Sequence, residues 1–247
     1  MSFPGRISFT ILLALFARTA LAGTVSVLFV GNSLTQVNDL PSVFKQFAAE
    51  SSLHLTVEVS SVTPGGAFLY DHWKRGQALA MLRDKHPNFL VLQGQSTEPL
   101  SARESFSRSA ALFKNEADRA GATTVMFATW ARPANDPYYK EATSGGSPAE
   151  MQTGLDSAYA AVAKNIGARL APVGMAFERV EKDSPKILLL DGTQHPSPAG
   201  TYLAAAVLFR TMFNVSPVES AYYGELPKEV AVHLQHIAGE ISMFSAH

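Results

Sequence analysis

The sequence contains no cysteine among its 247 residues. The chain therefore has no disulfide, no thiol nucleophile and no cysteine ligand for a metal ion. Its folded state must depend on an apolar core. With 47% hydrophobic and 17% charged residues, the composition is typical of a globular protein rather than of a disordered or fibrous one.

The sequence also lacks an excess of charge of either sign. It has 20 basic and 21 acidic side chains, a formal net charge of −1 at pH 7. Nucleic acids and anionic membrane surfaces bind clustered cations. We therefore expect neither of them as a partner.

A single long apolar run is present, and it lies at the N-terminus. Arg6 precedes a mostly apolar segment over 7–17, and Ala20-Leu21-Ala22 follows it, a pattern typical of a secretory signal peptide. The run is shorter than the roughly 20 residues that a membrane span needs. We predict that residues 1–22 are cleaved near Ala22 on export to the periplasm or the medium, with a retained anchor as the alternative. Residues 23–247 then form a single domain without a stable membrane span and with a net charge of −3.

Short apolar segments alternate with amphipathic helical segments along the rest of the chain. The predicted strands are 27–30, 55–62, 89–92, 123–129 and 168–173. The predicted helices are 40–48, 70–86, 102–120, 149–166, 176–180, 198–213 and 226–244. This alternation predicts an α/β fold, a three-layer α/β/α sandwich of flavodoxin-like type with a mostly parallel sheet.

Polar or glycine-rich segments follow three of the predicted strands. Gly31-Asn32-Ser33 follows the first strand, Gly65-Gly66 the second, and Gln95 the third. The carboxyl ends of parallel strands share one edge of a sheet, where ligand crevices form in open α/β folds. Ser33 is therefore a candidate nucleophile.

A serine hydroxyl needs a nearby base to attack at neutral pH, and histidine is the usual one. His195 lies between the last apolar run, 187–190, and the predicted helix 198–213, which Ser197 and Pro198 begin. A carboxylate can orient such a histidine, and Asp191 is near enough in sequence to do so. Ser33, His195 and Asp191 are thus the candidate catalytic residues.

These residues, in this order, resemble the SGNH or GDSL-like hydrolases. Gly31-Asn32-Ser33-Leu34 is similar to that family's serine block, with Asn32 where an aspartate is more usual, and Pro64-Gly65-Gly66 is similar to its glycine block. The similarity is strongest from His195 to Ala205. Leu69 and His72 resemble a subset of the family that hydrolyses carbohydrate esters.

The resemblance implies the SGNH-type α/β/α fold and a serine esterase that works through an acyl-enzyme, with no cofactor and no metal. The oxyanion is then held by the backbone N–H of Ser33, by an N–H of Gly65 or Gly66, and by Gln95. We expect a small-molecule or carbohydrate ester as substrate, with a short acyl group such as acetyl. The alternatives are a non-catalytic, exported ligand-binding or glycan-binding domain of the same fold and a lipase-type hydrolase.

The sequence departs from the family pattern at two places. Where the amide block normally reads Gly-x-Asn-Asp, Gly94 is followed by Gln95 and Ser96, so we assign the amide donor to Gln95, with Ser96 as the alternative. Asp191 lies four residues before His195 rather than three. Either Gly192 absorbs the extra residue as a bulge, or the site is a Ser33–His195 dyad steadied by a backbone carbonyl.

Other polar and aromatic residues have two interpretations each. Tyr138 and Tyr139, in the long loop 132–148, could line a substrate cleft or lie in an exposed excursion. His72 and Trp73 are expected in the core or at the rim of the site. His233 and His236 have no third ligand nearby in the sequence and are expected at the surface rather than on a metal.

Overall fold

The computed structural model of the protein describes residues 23–241. The predicted signal peptide, 1–22, and the last residues of the predicted C-terminal helix lie outside the described residues. Among residues 23–241, no helix is both long enough and apolar enough to cross a lipid bilayer.

Five parallel strands form the central sheet, as predicted. They are β1 (Val25–Val30), β2 (Val57–Val62), β3 (Phe89–Leu92), β4 (Thr123–Ala128) and β5 (Arg169–Pro172), in the order β2-β1-β3-β4-β5. Val30 pairs with Val62 on one side and with Leu92 on the other. The carboxyl ends of β2, β1 and β3 are therefore level with one another.

Helices cover both faces of this sheet, which confirms the three-layer sandwich. On one face lie α2 (Leu40–Ala49), α8 (Val173–Asp183), α9 (Pro198–Phe213) and α10 (Lys228–Glu240). On the other lie α3 (Leu69–Arg75), α4 (Gln77–Lys85), α6 (Arg103–Arg119) and α7 (Pro148–Ile166). Two single-turn helices, α1 (Ser33–Gln36) and α5 (Glu98–Ser101), follow β1 and β3, and short 3₁₀ turns occupy Val37–Asp39 and Pro137–Lys140.

Alternate residues of each strand feed two separate apolar cores. In β1, Val27 and Phe29 pack into the core under α2 and α9, while Leu28 and Val30 pack into the core under α6 and α7. Strands buried on both faces read as continuous apolar runs, as β1 does. The C-terminal helix α10 packs against α9, which is buried along almost its whole length.

One predicted element differs from the structure. The predicted helix 70–86 is two helices, α3 and α4, because Gly76 adopts the left-handed conformation with φ of +73° and ends the first of them. The apolar run 187–190 forms no strand. It makes one antiparallel bridge, from Leu190 to Pro196, and leaves Leu188 73% exposed.

The strand order creates a crevice beside the end of β1. The chain leaves β1 toward β2 and later returns on the other side of β1 as β3, so the connections diverge at that point. Gly31 lies in this gap, where the backbone passes so close to its neighbours that a Cβ atom would lie 2.5 Å from Gln93 Oε1. Only glycine allows this approach.

Candidate active site

Ser33 begins helix α1 directly after Gly31 and Asn32. The Asn32 side chain caps this helix by accepting a hydrogen bond from the Leu34 N–H at 3.1 Å. The Ser33 hydroxyl lies 3.0 Å from His195 Nε2. The structure thus brings together the two residues that the sequence nominated as nucleophile and base.

A short closed loop over 189–197 holds His195. The Ser197 N–H donates to the Leu189 carbonyl at 2.8 Å, and the Asp191 N–H donates to the His195 carbonyl at 3.1 Å. Trp130 Nε1 donates to the Gln194 carbonyl at 3.0 Å from the neighbouring loop. Backbone bonds therefore fix the imidazole before any substrate is present.

Asn38 connects the segment that carries Ser33 to this loop. Its Nδ2 donates to the Pro196 carbonyl at 2.8 Å and to Thr201 Oγ1 at 3.0 Å. Asn38 and Asp39 both have positive φ, 55° and 50°, a costly conformation for residues other than glycine. In this strained conformation Asn38 makes the hydrogen bond to Pro196 that holds the serine and histidine segments together.

The Asp191 carboxylate makes no hydrogen bond to the His195 side chain, so the direct triad does not form, and the group beside Nδ1 is Thr193 rather than the backbone carbonyl of the alternative. The carboxylate accepts from Thr193 Oγ1 at 2.6 Å and from the Thr193 N–H at 2.9 Å. The hydrogen bond from the Thr193 hydroxyl holds the pKa of Asp191 below its ordinary value. Thr193 Oγ1 in turn lies 3.0 Å from His195 Nδ1, where a direct triad would have its carboxylate.

The hydrogen bonds that the Thr193 hydroxyl can make determine which ring nitrogen of His195 carries the proton. The hydroxyl has one hydrogen and two lone pairs. It gives the hydrogen to the Asp191 carboxylate, which can only accept, and it accepts from the His195 backbone N–H at 3.1 Å. Its remaining lone pair can only accept, so His195 Nδ1 carries the proton. Nε2 is then free to accept from the Ser33 hydroxyl.

Buried side chains join the segments that follow β1, β2 and β3. Gln93 Oε1 accepts from the Asn32 N–H at 2.9 Å and from Thr35 Oγ1 at 3.0 Å. Asn32 Nδ2 donates to the Ala67 carbonyl at 3.1 Å. Asn32, which stands where the family more often has aspartate, thus uses its amide to hold the chain beyond the glycine block.

The glycine block, 64–66, forms an exposed turn. The Ala67 N–H donates to the Pro64 carbonyl at 3.2 Å, and Gly66 has a positive φ of 69°. The N–H groups of Gly65 and Gly66 have no hydrogen-bond partner within residues 23–241, and neither does the N–H of Ser33. These three donors are available to a bound ligand.

The amide block, 94–97, presents Gln95 with one end of its side chain fixed. Gln95 Oε1 accepts from the Thr97 N–H at 2.7 Å and from Thr97 Oγ1 at 2.9 Å. No bond within the described part of the chain engages Gln95 Nε2. The alternative donor, Ser96, is buried, and its hydroxyl accepts from Arg132 Nη2 at 2.8 Å.

Within residues 23–241, the remaining sequence candidates make no hydrogen bond to Ser33 or His195. Tyr139 donates to the Arg132 carbonyl at 2.5 Å, and the Tyr138 ring covers the Arg132 guanidinium at 5.3 Å, so both tyrosines brace that arginine. Buried His72 donates from Nε2 to the Gly31 carbonyl at 2.7 Å, and burial lowers its pKa. The Trp73 ring packs edge-on against Phe113, 5.6 Å away.

The two C-terminal histidines lie on α10, one half-buried and one exposed. His233 Nε2 lies 2.9 Å from Ser184 Oγ, and His236 is exposed. No group of three His, Asp or Glu side chains within residues 23–241 is arranged to hold a metal ion.

Sequence reasoning missed three residues that hold the site together, namely Asn38, Gln93 and Thr193. Thr193 had a signal in the sequence, because the extra residue between Asp191 and His195 required a group to span the distance. Gln93 also had one, since it is a polar residue placed directly after an apolar strand. Asn38 had no signal for this role beyond its polarity.

Solved structures similar to this chain include a protein from Slackia heliotrinireducens that is assigned as an SGNH hydrolase. It shares 31% sequence identity with a TM-score of 0.64, over 77% of this chain and all of that one. A DUF4886 family protein from Bacteroides uniformis shares 18% identity with a TM-score of 0.73, over 88% of this chain and 94% of the other.

An acetylxylan esterase from Geobacillus stearothermophilus is also similar in fold. It shares 13% identity with a TM-score of 0.60, over 76% of this chain and 94% of that one. At such low identity the likeness concerns the fold alone. No protein-family model matches the sequence, and no curated protein does.

The tautomer of His195 is a direct prediction of the Thr193 geometry. In the neutral imidazole we expect the proton on Nδ1, detected by two-bond ¹H–¹⁵N correlation of the histidine ring. Thr193→Val keeps the side-chain shape but removes the hydroxyl, and it should give a mixture of tautomers. Thr193→Ser is the matched control and should retain Nδ1–H. A proton found on Nε2 in the unaltered protein would contradict the arrangement.

Proposed function

The chain belongs to the SGNH hydrolase family, and from this premise we propose that it is an exported serine ester hydrolase that removes short acyl groups, such as acetyl, from a carbohydrate or another small ester. The observation that carries the proposal is the 3.0 Å contact between Ser33 Oγ and His195 Nε2. It pairs a nucleophile with a base whose tautomer suits proton removal.

In the proposed acylation step, His195 Nε2 takes the hydroxyl proton as Ser33 Oγ attacks the ester carbonyl. Imidazolium forms as the tetrahedral intermediate forms. The Nδ1–H bond to Thr193 Oγ1 stabilises this cation through the ionised Asp191 behind it. His195 then gives the proton to the departing alcohol, and the acyl group stays on Ser33.

Deacylation repeats the sequence with water as the nucleophile. His195 takes a proton from water, the hydroxide attacks the acyl carbonyl, and Ser33 leaves with the proton that His195 returns. Every proton that moves is held by His195, which explains why its loop is fixed at both ends.

The proposed oxyanion donors follow three adjacent strands of the sheet, with the strand that precedes Ser33 in the middle. Ser33 N–H follows β1, Gly65 and Gly66 follow the neighbouring β2, and Gln95 follows β3 on the other side. Thr97 holds Gln95 Oε1, which leaves Nε2 as the end that can donate. Donors fixed in advance act on the charge that develops in the transition state.

Two observations support a short acyl group rather than a lipid. Among residues 23–241 the large apolar side chains that are exposed are Tyr70 and Leu188, too few for a lipid-binding surface. The similar fold from Geobacillus stearothermophilus is an acetylxylan esterase.

A cavity of about 580 Å³ beside Gly192 has a size suited to a small ligand, and we assign it to the alcohol part of the ester.

We expect the protein to hydrolyse p-nitrophenyl acetate and butyrate, with kcat/KM falling as the acyl chain lengthens to octanoate and beyond. Ser33→Ala should abolish this hydrolysis because the nucleophile is lost. Rates that rise with chain length would favour the lipase-type alternative. If the unaltered protein hydrolyses no ester and yet binds acetylated oligosaccharides, the binding-domain alternative is correct.

Removal of the Gln95 amide is predicted to lower kcat by roughly 100- to 1000-fold with little change in KM, since loss of one oxyanion donor usually has this effect. The matched Gln95→Glu keeps the Oε1 bonds to Thr97 but places a carboxylate oxygen where Nε2 was, so it should lower kcat at least as much as Gln95→Ala. Steady-state kinetics on p-nitrophenyl acetate measure both. An unchanged kcat in Gln95→Ala would remove this residue from the mechanism.

A further inference from the structure

Glu98 is a fully buried carboxyl group that the proposed reaction does not use. Its exposed fraction is 0%, and it lies at the start of α5, four residues after Gly94. No basic side chain pairs with it in an ion pair within the described residues. A buried carboxyl without a cation is costly, so its position calls for a physical reason.

Three backbone hydrogen bonds converge on this carboxyl. The Leu69 N–H donates to both oxygens, at 3.1 Å each, and the Gln95 N–H donates to Oε2 at 2.9 Å. Leu69 is the first residue of α3, three residues beyond Gly66, and Gln95 is the proposed amide donor. One side chain therefore binds the ends of both segments that carry oxyanion donors.

Glu98 completes a closed set of connections among the three segments beside the crevice. Gln93 ties the segment after β3 to Asn32, after β1. Asn32 ties that segment to Ala67, after β2. Glu98 supplies the third connection, between the segments after β2 and β3, and within residues 23–241 no other side chain hydrogen-bonds these two segments directly to each other.

We propose that Glu98 is a positioning residue whose carboxylate sets the distance between the glycine block and the amide block. It thereby keeps the oxyanion donors of both blocks in the positions that the reaction needs. The inference rests on the proposed function for its effect on rate, but the hydrogen bonds stand without it.

A carboxylate suits this place because it can only accept. The two N–H donors meet two oxygens, and neither oxygen carries a hydrogen that would oppose a donor. A protonated carboxyl or a glutamine of the same shape presents a donor at one of the two positions. It therefore loses at least one of the three hydrogen bonds and weakens the connection while it keeps the packing.

The surroundings place the ionisation of this group in the range of ordinary pH. Burial raises the pKa of Glu98 to about 7, Asp71 of α3 adds to the rise, and the bonds from Gln95 and Leu69 oppose it. Glu98 in turn contributes to the raised pKa of Tyr159 of α7, whose main cause is burial. Because the carboxylate is the form that holds both segments, the connection is complete above about pH 7 and weakens as the pH falls through that value.

The experiment compares Glu98→Gln with the unaltered protein, with Glu116→Gln as the matched control. Glu116 is also a buried glutamate, but it binds Arg83 and Arg119 on α4 and α6, away from the crevice. At pH 8 we expect Glu98→Gln to lower kcat on p-nitrophenyl acetate by about 10- to 100-fold with KM nearly unchanged, because displaced donors act only on the transition state. Glu116→Gln should leave kcat unchanged.

The pH dependence of kcat gives a second measurement that a purely structural role would not alter. A single protonation lowers kcat by at most one decade per pH unit. In the unaltered protein the protonation of Glu98 adds to any other, so the acid limb should be steeper than one decade per pH unit. In Glu98→Gln this contribution is absent, and the slope should be at most one. If the variant does not fold, the steepness in the unaltered protein still decides. A slope of one there, or a kcat within twofold for Glu98→Gln at pH 8, would overturn the proposal.

Amide hydrogen exchange separates this inference from the proposed function. At pH 8 the N–H of Gln95 or that of Leu69 should exchange at least tenfold faster in Glu98→Gln than in Glu116→Gln. If the protein hydrolyses no ester, the proposed function fails while this result still supports the connection. If exchange at both amides is unchanged, the connection is refuted whatever the activity.

Discussion

The hydrogen bond between Ser33 Oγ and His195 Nε2 joins two segments that lie 162 residues apart in the chain. A contact of 3.0 Å over such a separation depends on the whole parallel sheet, because β1 delivers the serine and the loop before α9 delivers the histidine. The buried helix α9 fixes where that loop can lie, and Asn38 ties the two segments directly. The packing of the apolar core thus holds Ser33 Oγ and His195 Nε2 at hydrogen-bond distance.

Polar side chains at the sheet edge do what the apolar core cannot. Asn32, Gln93 and Glu98 are all buried and all bond to backbone groups of a neighbouring segment. Each such buried group would lower the stability of the fold by about 1–3 kcal/mol if it were left without a partner. The fold therefore favours the geometry in which these hydrogen bonds form. Together they hold three loop segments that would otherwise be free to move independently.

The parts of the site that sequence could predict are those with a local cause. Ser33 follows a buried strand and a glycine, and His195 precedes a capped helix, so both could be nominated from their own surroundings. The parallel sheet followed from the alternation of strands and helices. A glycine such as Gly76 can end a helix. Because the helical periodicity continues on both sides of it, the break between α3 and α4 was not predicted.

The parts that sequence could not predict depend on tertiary contacts. The hydroxyl of Thr193 acquires its role because the 189–197 loop folds it between Asp191 and His195, a geometry that spacing alone left open. Glu98 was not predicted to have a role, since one of its two partners, Leu69, lies 29 residues away in the chain. In both cases the function of the residue is defined by what it holds in place.

The dependence of Ser33 on His195 is tested most directly by a double-mutant cycle on p-nitrophenyl acetate hydrolysis. If the two act as one unit, Ser33→Ala and His195→Ala should each lower kcat/KM about as much as the double variant does. Losses that multiply in the double variant, or a His195→Ala protein that keeps the unaltered rate, would contradict the proposed mechanism.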